Sequence, residues 1–178
     1  MESLNAWEAA LMSRLGSWGG LTDSLMRGIS ALGDYGILMI LTALVLLCFR
    51  KTRRCGLAAA IALAAGAIVG NGVLKPLVAR VRPYDFDPSL TLLVPPQNDF
   101  SFPSGHTLAA FETAVPILRY HRKWGIAALA FAGLMAFSRV YGMVHYPTDV
   151  LAGALIGTAC GLLGVAAAEK IAQKTGKL

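Results

Sequence analysis

The sequence predicts an all-α membrane protein: a polytopic helical bundle of about five transmembrane helices, preceded by amphipathic helices that lie in the membrane interface. Of its 178 residues, 56% are hydrophobic and 15% are charged, and the mean hydropathy is +0.59. Soluble domains carry about 25% charged residues. Five apolar runs approach the length of a membrane span, and most basic residues lie in short clusters between them. These observations argue against a soluble globular enzyme.

Residues 1–32 are predicted to form two amphipathic helices. Apolar side chains recur with a helical period, at Leu4, Trp7, Leu11, Leu15, Trp18, Leu25, Ile29 and Leu32. Gly16, Gly19 and Gly20 interrupt the pattern. A single additional span is the alternative, but Arg14, Asp23 and Arg27 interrupt it. A cleavable signal peptide is not expected, because the N-terminus lacks a basic region followed by an apolar core.

The transmembrane core is predicted within 33–168, and the whole of 1–178 is expected to be one domain. The candidate spans, each needing about 20 mostly apolar residues, are 33–49, 56–78, 105–119, 125–141 and 148–168. The run 105–119 is the weakest, since it is short and contains Glu112 and Pro116. For Glu112 we expect a polar contact between helices, with Asn71 as candidate partner; a proton or substrate role is the alternative. Small-residue spacings predict close helix packing, at Gly66-x-x-x-Gly70, Gly153-x-x-x-Gly157 and Gly157-x-x-x-Gly161.

The distribution of basic residues favours a membrane over nucleic acid as the reason for the net charge of +6. Ten of the 16 basic residues lie in two links and the C-terminal tail, on one side of a five-span arrangement. The positive-inside rule, by which basic links stay on the cytoplasmic side, places that side in the cytoplasm. The outer side still receives Arg14, Arg27, Lys75, Arg80, Arg82 and Arg139. The last four lie at the ends of spans, and a bound anion is the expected reason for them.

Several other residues receive smaller predictions. The three cysteines, Cys48, Cys55 and Cys160, have no framework spacing and are expected to be reduced. Asp85, Asp87 and Asp99 match no standard metal loop, so a solvated loop is favoured over a metal site. The aliphatic patch Leu90, Leu92, Leu93 and Val94 is predicted to dip into the bilayer beside the site. Packing on the N-terminal helices is the alternative.

Three segments at the outer ends of predicted spans hold the residues that can carry chemistry: 75–83, 103–106 and 138–149. Lys75, Arg82 and Arg139 are costly at a membrane face unless paired, and the sequence offers no carboxylate cluster large enough to pair them. A phosphate would do so, because guanidinium groups bind its oxygens bidentately. Ser104 is a candidate N-cap, and the N–H groups that follow it suit an anion. Gly105 would let phosphate approach the backbone closely.

Two histidines complete the predicted site. Asp149 follows His145 by four residues in the first turn of a helix that begins at Pro147. A carboxylate that holds one imidazole nitrogen leaves the other free to attack. His145 is therefore a candidate nucleophile, with Asp149 as its orienting partner and His106 as the general acid. A lone histidine at an interface is usually an ordinary residue; the joint occurrence of the three segments carries the prediction.

At these residues the sequence resembles the type 2 phosphatidic acid phosphatase superfamily, the membrane branch of the lipid phosphatases and vanadium haloperoxidases. Its motifs K-x6-R-P, P-S-G-H and S-R-x5-H-x3-D are matched in full by the three segments. The resemblance implies a phosphohistidine mechanism without a metal or other cofactor. His145 would attack phosphorus, Asp149 would orient it, and His106 would protonate the leaving group and then assist water. The residues implied to hold phosphoryl oxygens are Lys75, Arg82, Ser104, Gly105 and Arg139.

The resemblance also implies a substrate class: a lipid phosphate whose tail stays in the bilayer while its phosphate meets the site. Undecaprenyl diphosphate is favoured, because the chain is similar to compact bacterial enzymes that recycle this carrier. Phosphatidylglycerophosphate or phosphatidic acid is the runner-up, and lipid A is less favoured. The expected location is the bacterial inner or plasma membrane, with the site facing the periplasm or exterior. Two alternatives come from other functional classes. One is a small transporter or scaffold; the other is a haloperoxidase, which is disfavoured because those enzymes are soluble.

Overall fold

The computed structural model describes residues 2–15 and 18–175. All regular secondary structure in those ranges is helical, and they contain no strand. This confirms the all-α prediction. The long helices are α1 (Glu2–Leu15), α2 (Gly20–Leu32), α3 (Ile37–Cys48), α4 (Arg53–Gly66), α7 (Gly105–Tyr120), α8 (Arg122–Tyr141) and α9 (Pro147–Thr175). Short elements join them: a 3-10 turn (Asp34–Gly36), a π-helical segment (Ala67–Leu74), α5 (Lys75–Val78) and α6 (Pro83–Phe86). Helix α7 is central and packs on α4, α8 and α9.

Three helical stretches of the described chain are long and apolar enough to cross a membrane: Arg53–Phe86, Arg122–Tyr141 and Pro147–Lys174. The pair Gly20–Leu32 and Asp34–Cys48 passes the same test together, with a bend of 44° between its halves, and would be a fourth. Helix α7 follows the predicted run 105–119 closely, but its 16 residues are fewer than the usual span. The polytopic bundle is confirmed, with three or four candidate spans by length and composition.

The N-terminal region forms two helices, as predicted, and the break lies between Leu15 and Gly20. Gly16, one of the predicted breakers, falls outside the described residues. Most apolar side chains of the predicted face point away from the protein, with Trp7 63% exposed and Leu25 55% exposed, but Ile29 is buried. Helix α1 instead buries the polar side chains Asn5 and Glu8 together with Met12. Its polar side therefore faces the protein, and its apolar side is available to lipid.

The predicted glycine spacing brings α9 against α7. A Cβ atom at Gly153 would lie 2.8 Å from the Ser104 carbonyl oxygen, and one at Gly157 would lie 2.6 Å from the Leu108 carbonyl oxygen. Only glycine allows backbones to approach so closely. At the end of this contact the Ser104 N–H donates to the Asp149 carbonyl at 3.1 Å, which joins two of the predicted motifs.

The backbone turns sharply where α5 ends. The π-helical segment before it contains Gly70 and Gly72, and Pro76 lacks the N–H group that would continue the ladder. Ala79 then takes a left-handed conformation, with φ of 47°. This conformation is uncommon for a residue with a Cβ atom. The turn directs Arg80 and Arg82 back into the protein, where both are buried.

The aliphatic patch of segment 84–101 packs on the N-terminal helices, so its predicted insertion into the bilayer is wrong. Leu90 shares a buried cluster with Ala9 and Met12 of α1. Leu93 belongs to the cluster that contains Met26 and Ile29 of α2. Burial of these leucines against protein removes the reason to expect them in lipid.

Candidate active site

The three predicted segments meet at one end of the bundle, around a cavity of about 920 Å³. The cavity is lined by most of the predicted site residues, namely Lys75, Arg82, Gly105, His106, Arg139 and His145. Ser104 and Asp149 are fully buried beside it. The helices α7, α8 and α9 and the turn after α5 therefore bring together residues that are far apart in the sequence.

His145 lies in the link between α8 and α9, which Met143 bends with φ of 61°. Its Nδ1 lies 3.6 Å from Asp149 Oδ2, and its Nε2 lies 3.4 Å from Arg82 Nη1. The predicted pair is thus adjacent, although 3.6 Å exceeds a hydrogen bond. Burial, together with Arg82 and Arg139, lowers the pKa of His145 to about 3, against the opposing effect of Asp149. The imidazole is therefore neutral at pH 7.

Several donors hold Asp149, and His145 Nδ1, at 3.6 Å, is not among them. Its Oδ2 accepts hydrogen bonds from the Ser101 hydroxyl and, at 3.0 Å, from the Tyr146 N–H. Its Oδ1 accepts from Arg80 Nη1. These contacts fix a fully buried carboxylate in place at the start of α9.

Arg139 carries two buried donor nitrogens that no described residue satisfies. Its Nη1 donates to the Ser30 hydroxyl of α2, but Nε and Nη2 have no partner in the described chain. Unpaired donors on a guanidinium that is only 1% exposed are costly. Their position at the wall of the cavity is consistent with the predicted binding of an anion.

Lys75 and Arg82 are both paired with Asp99, a single carboxylate that the sequence analysis placed in a solvated loop, whereas Arg139 makes no ion pair with a described carboxylate. Lys75 Nζ donates to the Asp99 carboxylate and, at 3.1 Å, to the Phe100 carbonyl. Arg82 donates to the same carboxylate and, at 2.7 Å, to the Asp99 carbonyl. Burial raises the pKa of Asp99, but Lys75 and Arg82 outweigh this effect and hold it below its usual range. Asp99 thus takes positions that phosphate oxygens could occupy.

His106, in the first turn of α7, contacts a carboxylate that the sequence analysis missed. Its Nε2 lies 3.0 Å from Asp34 Oδ1, on the 3-10 turn between α2 and α3. Gly33 makes this approach possible, because a Cβ atom there would lie 2.5 Å from His106 Cδ2. Asp34 stands at the outer end of a predicted span, but no motif spacing links it to His106.

Arg80 does not face the cavity, so its assignment to a bound anion is wrong. It is 4% exposed and donates to Asp149 and to residues of α1 and α9. Its partners Asn5 and Glu8 lie on α1, 75 and 72 residues earlier in the chain. The sequence analysis missed both, because no spacing rule connects so distant a pair.

The start of α7 matches the prediction in position. Ser104 is the N-cap residue, but its hydroxyl lies 3.0 Å from Thr107 Oγ1 instead of capping an N–H group. A Cβ atom at Gly105 would meet only Asn71 Oδ1, at 3.4 Å. Protein packing therefore does not explain this glycine, and its predicted role toward phosphate stays a prediction.

The remaining acidic residues do not assemble into a metal site in the described ranges, where no group of three or more His, Cys, Asp or Glu could hold an ion. Asp87 accepts hydrogen bonds from Ser89, while Asp99 is paired with cations. Glu112 is buried, and both Glu112 and Asn71 line the cavity. The Oε1 atom of Glu112 has no partner among the described residues, so the expected contact with Asn71 is not made. All three cysteines are free, as expected.

Comparisons with known proteins agree with this geometry. The family model of the PAP2 superfamily matches residues 53–172. An undecaprenyl-diphosphatase of Sulfolobus acidocaldarius is 37% identical over 144 residues, which cover 80% of this chain and 69% of that protein. Phosphatidylglycerophosphatase B of Bacillus subtilis is 34% identical over 149 residues, covering 76% of this chain and 70% of that protein.

A solved structure extends the likeness to the fold. The crystal structure of a transmembrane PAP2-type phosphatidylglycerolphosphate phosphatase from Bacillus subtilis superposes with a TM-score of 0.77 at 28% identity. The match covers 96% of this chain and 89% of that one. A transporter or scaffold is no longer needed to explain the bundle. The chain belongs to the PAP2 superfamily and is a multi-pass membrane phosphatase that hydrolyses phosphate esters.

Proposed function

We propose that the enzyme hydrolyses a lipid phosphate or diphosphate through a phosphohistidine formed on His145, without a metal ion. One observation carries the proposal. The imidazole of His145 is buried and neutral, with Nδ1 toward Asp149 and Nε2 toward Arg82. A phosphate bound between Arg82 and the unpaired donors of Arg139 would place its phosphorus atom in reach of Nε2.

The reaction has two steps. In the first, Nε2 of His145 attacks phosphorus, the bond from phosphorus to the leaving oxygen breaks, and protonated His106 supplies the proton that this oxygen takes. Burial and Arg139 lower the pKa of His106 to about 4, so the protonated form depends on Asp34 and on the negative charge of the bound phosphate. Asp149 holds the Nδ1 proton and stabilises the imidazolium that forms. In the second, His106 takes a proton from water, the water oxygen attacks phosphorus, and the P–N bond breaks to release inorganic phosphate and free His145. Asp34 orients the ring of His106 during both steps.

The phosphoryl oxygens are held by cations and by backbone. Arg139 and Arg82 provide fork-shaped donors, Lys75 provides a point charge, and the N–H groups at the start of α7, after Ser104, provide a positive dipole end. Such fixed donors stabilise charge that develops in the transition state. The cavity also continues past apolar side chains such as Leu63, Ala67 and Leu108, which suit a lipid tail.

Undecaprenyl diphosphate is the favoured substrate, hydrolysed at the outer face of the cell membrane. The name of the Sulfolobus acidocaldarius relative supports it. Phosphatidylglycerophosphate is the second candidate, supported by the likeness to the Bacillus subtilis enzyme and structure. A panel of these two lipids, phosphatidic acid and lipid A, presented in detergent, separates the candidates. We expect the largest kcat/KM for undecaprenyl diphosphate, unchanged by EDTA; a larger value for phosphatidylglycerophosphate would favour the second candidate.

The nucleophile is tested by His145→Ala. We expect kcat to fall by about four orders of magnitude or more, because removal of one member of such a unit abolishes the covalent route. His121→Ala, at the opposite end of α7, is the matched control and should keep full activity. Rapid acid-free quenching of the unaltered enzyme with labelled substrate should trap an acid-labile phosphoryl group on His145. Full activity of His145→Ala would exclude the mechanism.

A further inference from the structure

A buried ionic cluster lies behind the site and joins α1 to the first turn of α9. It consists of Glu8, Arg80 and Asp149, whose side chains are 0%, 4% and 0% exposed. Arg80 Nη2 lies 2.6 Å from Glu8 Oε2, and Arg80 Nη1 contacts Asp149 Oδ1. None of the three is among the residues that line the cavity. The cluster therefore reaches the reacting atoms only through Asp149.

All five N–H groups of Arg80 are engaged. The Nε group donates to Asn5 Oδ1 at 2.9 Å, and Nη2 donates to Asn5 and to Glu8. The Nη1 group donates to Asp149 and, at 2.7 Å, to Thr148 Oγ1. The guanidinium also stacks on the Tyr146 ring, 3.8 Å from its centroid. So many contacts leave the guanidinium a single orientation.

Glu8 ties the cluster directly to α9 as well. Its Oε1 accepts the Thr148 N–H at 2.8 Å, and its Oε2 accepts the Thr148 hydroxyl at 2.9 Å. Thr148 precedes Asp149, so the carboxylate of Glu8 supports the backbone of the residue next to the catalytic carboxylate. Helix α1 therefore fixes Asp149 from two sides, through Arg80 and through the start of α9.

The charges of the cluster explain why a second carboxylate is needed. Arg80 alone would neutralise Asp149, and the attraction of Asp149 for a positively charged imidazole would be weakened. With Glu8 present, two carboxylates share one guanidinium, and a net charge of −1 remains facing His145. On the cavity side, the cations Arg82 and Arg139 oppose a positive charge on the His145 ring, and Asp99 is paired with Arg82. The surplus negative charge offsets them in a poorly hydrated site, where charges act strongly.

We infer that Glu8 and Arg80 are positioning residues of the phosphatase reaction, and that α1 is thereby part of the catalytic machinery. They hold Asp149 in place and preserve its negative charge toward the imidazolium of His145. The inference rests on the proposed phosphohistidine mechanism. It predicts that their loss slows the chemical steps and leaves lipid binding intact, because Lys75, Arg82 and Arg139 bind the phosphate and contact neither residue.

The first test is Glu8→Gln, which keeps the size of the side chain and an acceptor for the Thr148 N–H. We expect kcat to fall roughly 10- to 100-fold, as is typical when a partner behind a functional group is removed, with KM unchanged. The matched control is Glu169→Gln, the same change in an exposed pair with Arg119 at the other end of α9, and it should leave kcat unchanged. A rise in KM with kcat unchanged would overturn the inference.

A double-mutant cycle separates positioning from a general effect on folding. Glu8→Gln is made in the Asp149→Asn background, and residual rates are measured in single turnovers. If Glu8 acts through Asp149, it should cause less than about a twofold further loss there. An equal loss in both backgrounds would mean that Glu8 is only structural. If Glu8→Gln folds poorly, the same cycle is run with Arg80→Lys, which keeps the positive charge but loses the paired N–H groups of the guanidinium. The same outcome is expected: a large loss in the unaltered enzyme and little further loss in the Asp149→Asn background.

The outcomes also separate this inference from the proposed function. Unaltered enzyme that releases phosphate but carries no label on His145 would contradict the proposed mechanism. Unaltered enzyme that is labelled on His145, combined with an unimpaired Glu8→Gln variant, would contradict only the role of the ionic cluster.

Discussion

The individual cations of the site differ in what they are bonded to. Arg139 presents two buried donors without a described partner, so it can meet a phosphate directly. Arg82 is engaged on every side, by the carbonyl and carboxylate of Asp99, by the Phe100 and Val144 carbonyls and by His145. Lys75 is held by Asp99 and Phe100. In the proposed mechanism, phosphate therefore has to exchange with Asp99 before Lys75 and Arg82 can bind it.

Asp99→Ala should strengthen inhibition by vanadate, which occupies a phosphate site. Removal of the competing carboxylate frees Lys75 and Arg82, and we expect the inhibition constant to fall about threefold to tenfold, a modest gain because Asp99 is half-exposed. Asp87→Ala, in the same segment but hydrogen-bonded to Ser89, is the control and should leave the constant unchanged. A weaker inhibition in Asp99→Ala would show that Asp99 organises the cations instead of competing for them.

Residue identities at the reacting centre could be predicted because motif spacing encodes them. Lys75, His106 and His145 belong to contiguous segments, and the structure places all three on one cavity. Their roles remain predictions until the variants are measured. Asp34 and Glu8 could not be found, because each meets its partner through tertiary packing across 72 residues, with no periodic pattern between them.

Among the helices, the decisive contact is the glycine face of α9 against α7. It sets the distance between the segment that carries Ser104 and His106 and the turn that carries Asp149. The sequence predicted this close packing from the small-residue spacing. The helix bounds came within about four residues of the apolar runs, except that α9 continues to Thr175, beyond the predicted end at 168. The π-helical segment could not be predicted, because Gly70, Gly72 and Pro76 are equally compatible with an ordinary break or kink.

Gly157→Ala should destabilise the protein and lower its activity. The added methyl group would lie 2.6 Å from the Leu108 carbonyl, which is rigid backbone, and such overpacking costs about 1–3 kcal/mol. Gly133→Ala is the same substitution at a helical glycine with nothing within 4 Å, and it should be neutral or stabilising by about 0.5–1 kcal/mol. Thermal unfolding in detergent measures both. Equal midpoints for the two variants would contradict the packing argument.

For the whole molecule, the arrangement in the membrane follows from the distribution of charge. The predicted cytoplasmic side holds Arg50, Lys51 and their neighbours, and the site lies at the other end of the bundle. Among the four cations expected to serve an outer phosphate, Arg80 serves the ionic cluster instead. That reassignment leaves the orientation argument intact, because a buried paired cation is likewise unavailable as an orienting charge.

A cysteine at Gln97, beside the site, should react with an impermeant maleimide from outside intact cells. Gln97→Cys is made in a Cys48→Ser background, because Cys48 is exposed whereas Cys55 and Cys160 are buried. Lys51→Cys in the same background is the control and should react only after the cells are opened. Labelling of Gln97→Cys only in opened cells would reverse the orientation.

The contacts of Glu8 have a consequence for the order in which the chain assembles. Helix α1 is synthesised before its partners, yet its Glu8 carboxylate pairs with Arg80, 72 residues later, and accepts hydrogen bonds from Thr148, 140 residues later. Contacts of such long range form late, since the loop entropy must be paid before they are made. Docking of α1 on α9 is therefore expected to come late in folding. A nascent chain that stops before α9 lacks Thr148 and Asp149, so it cannot complete this contact.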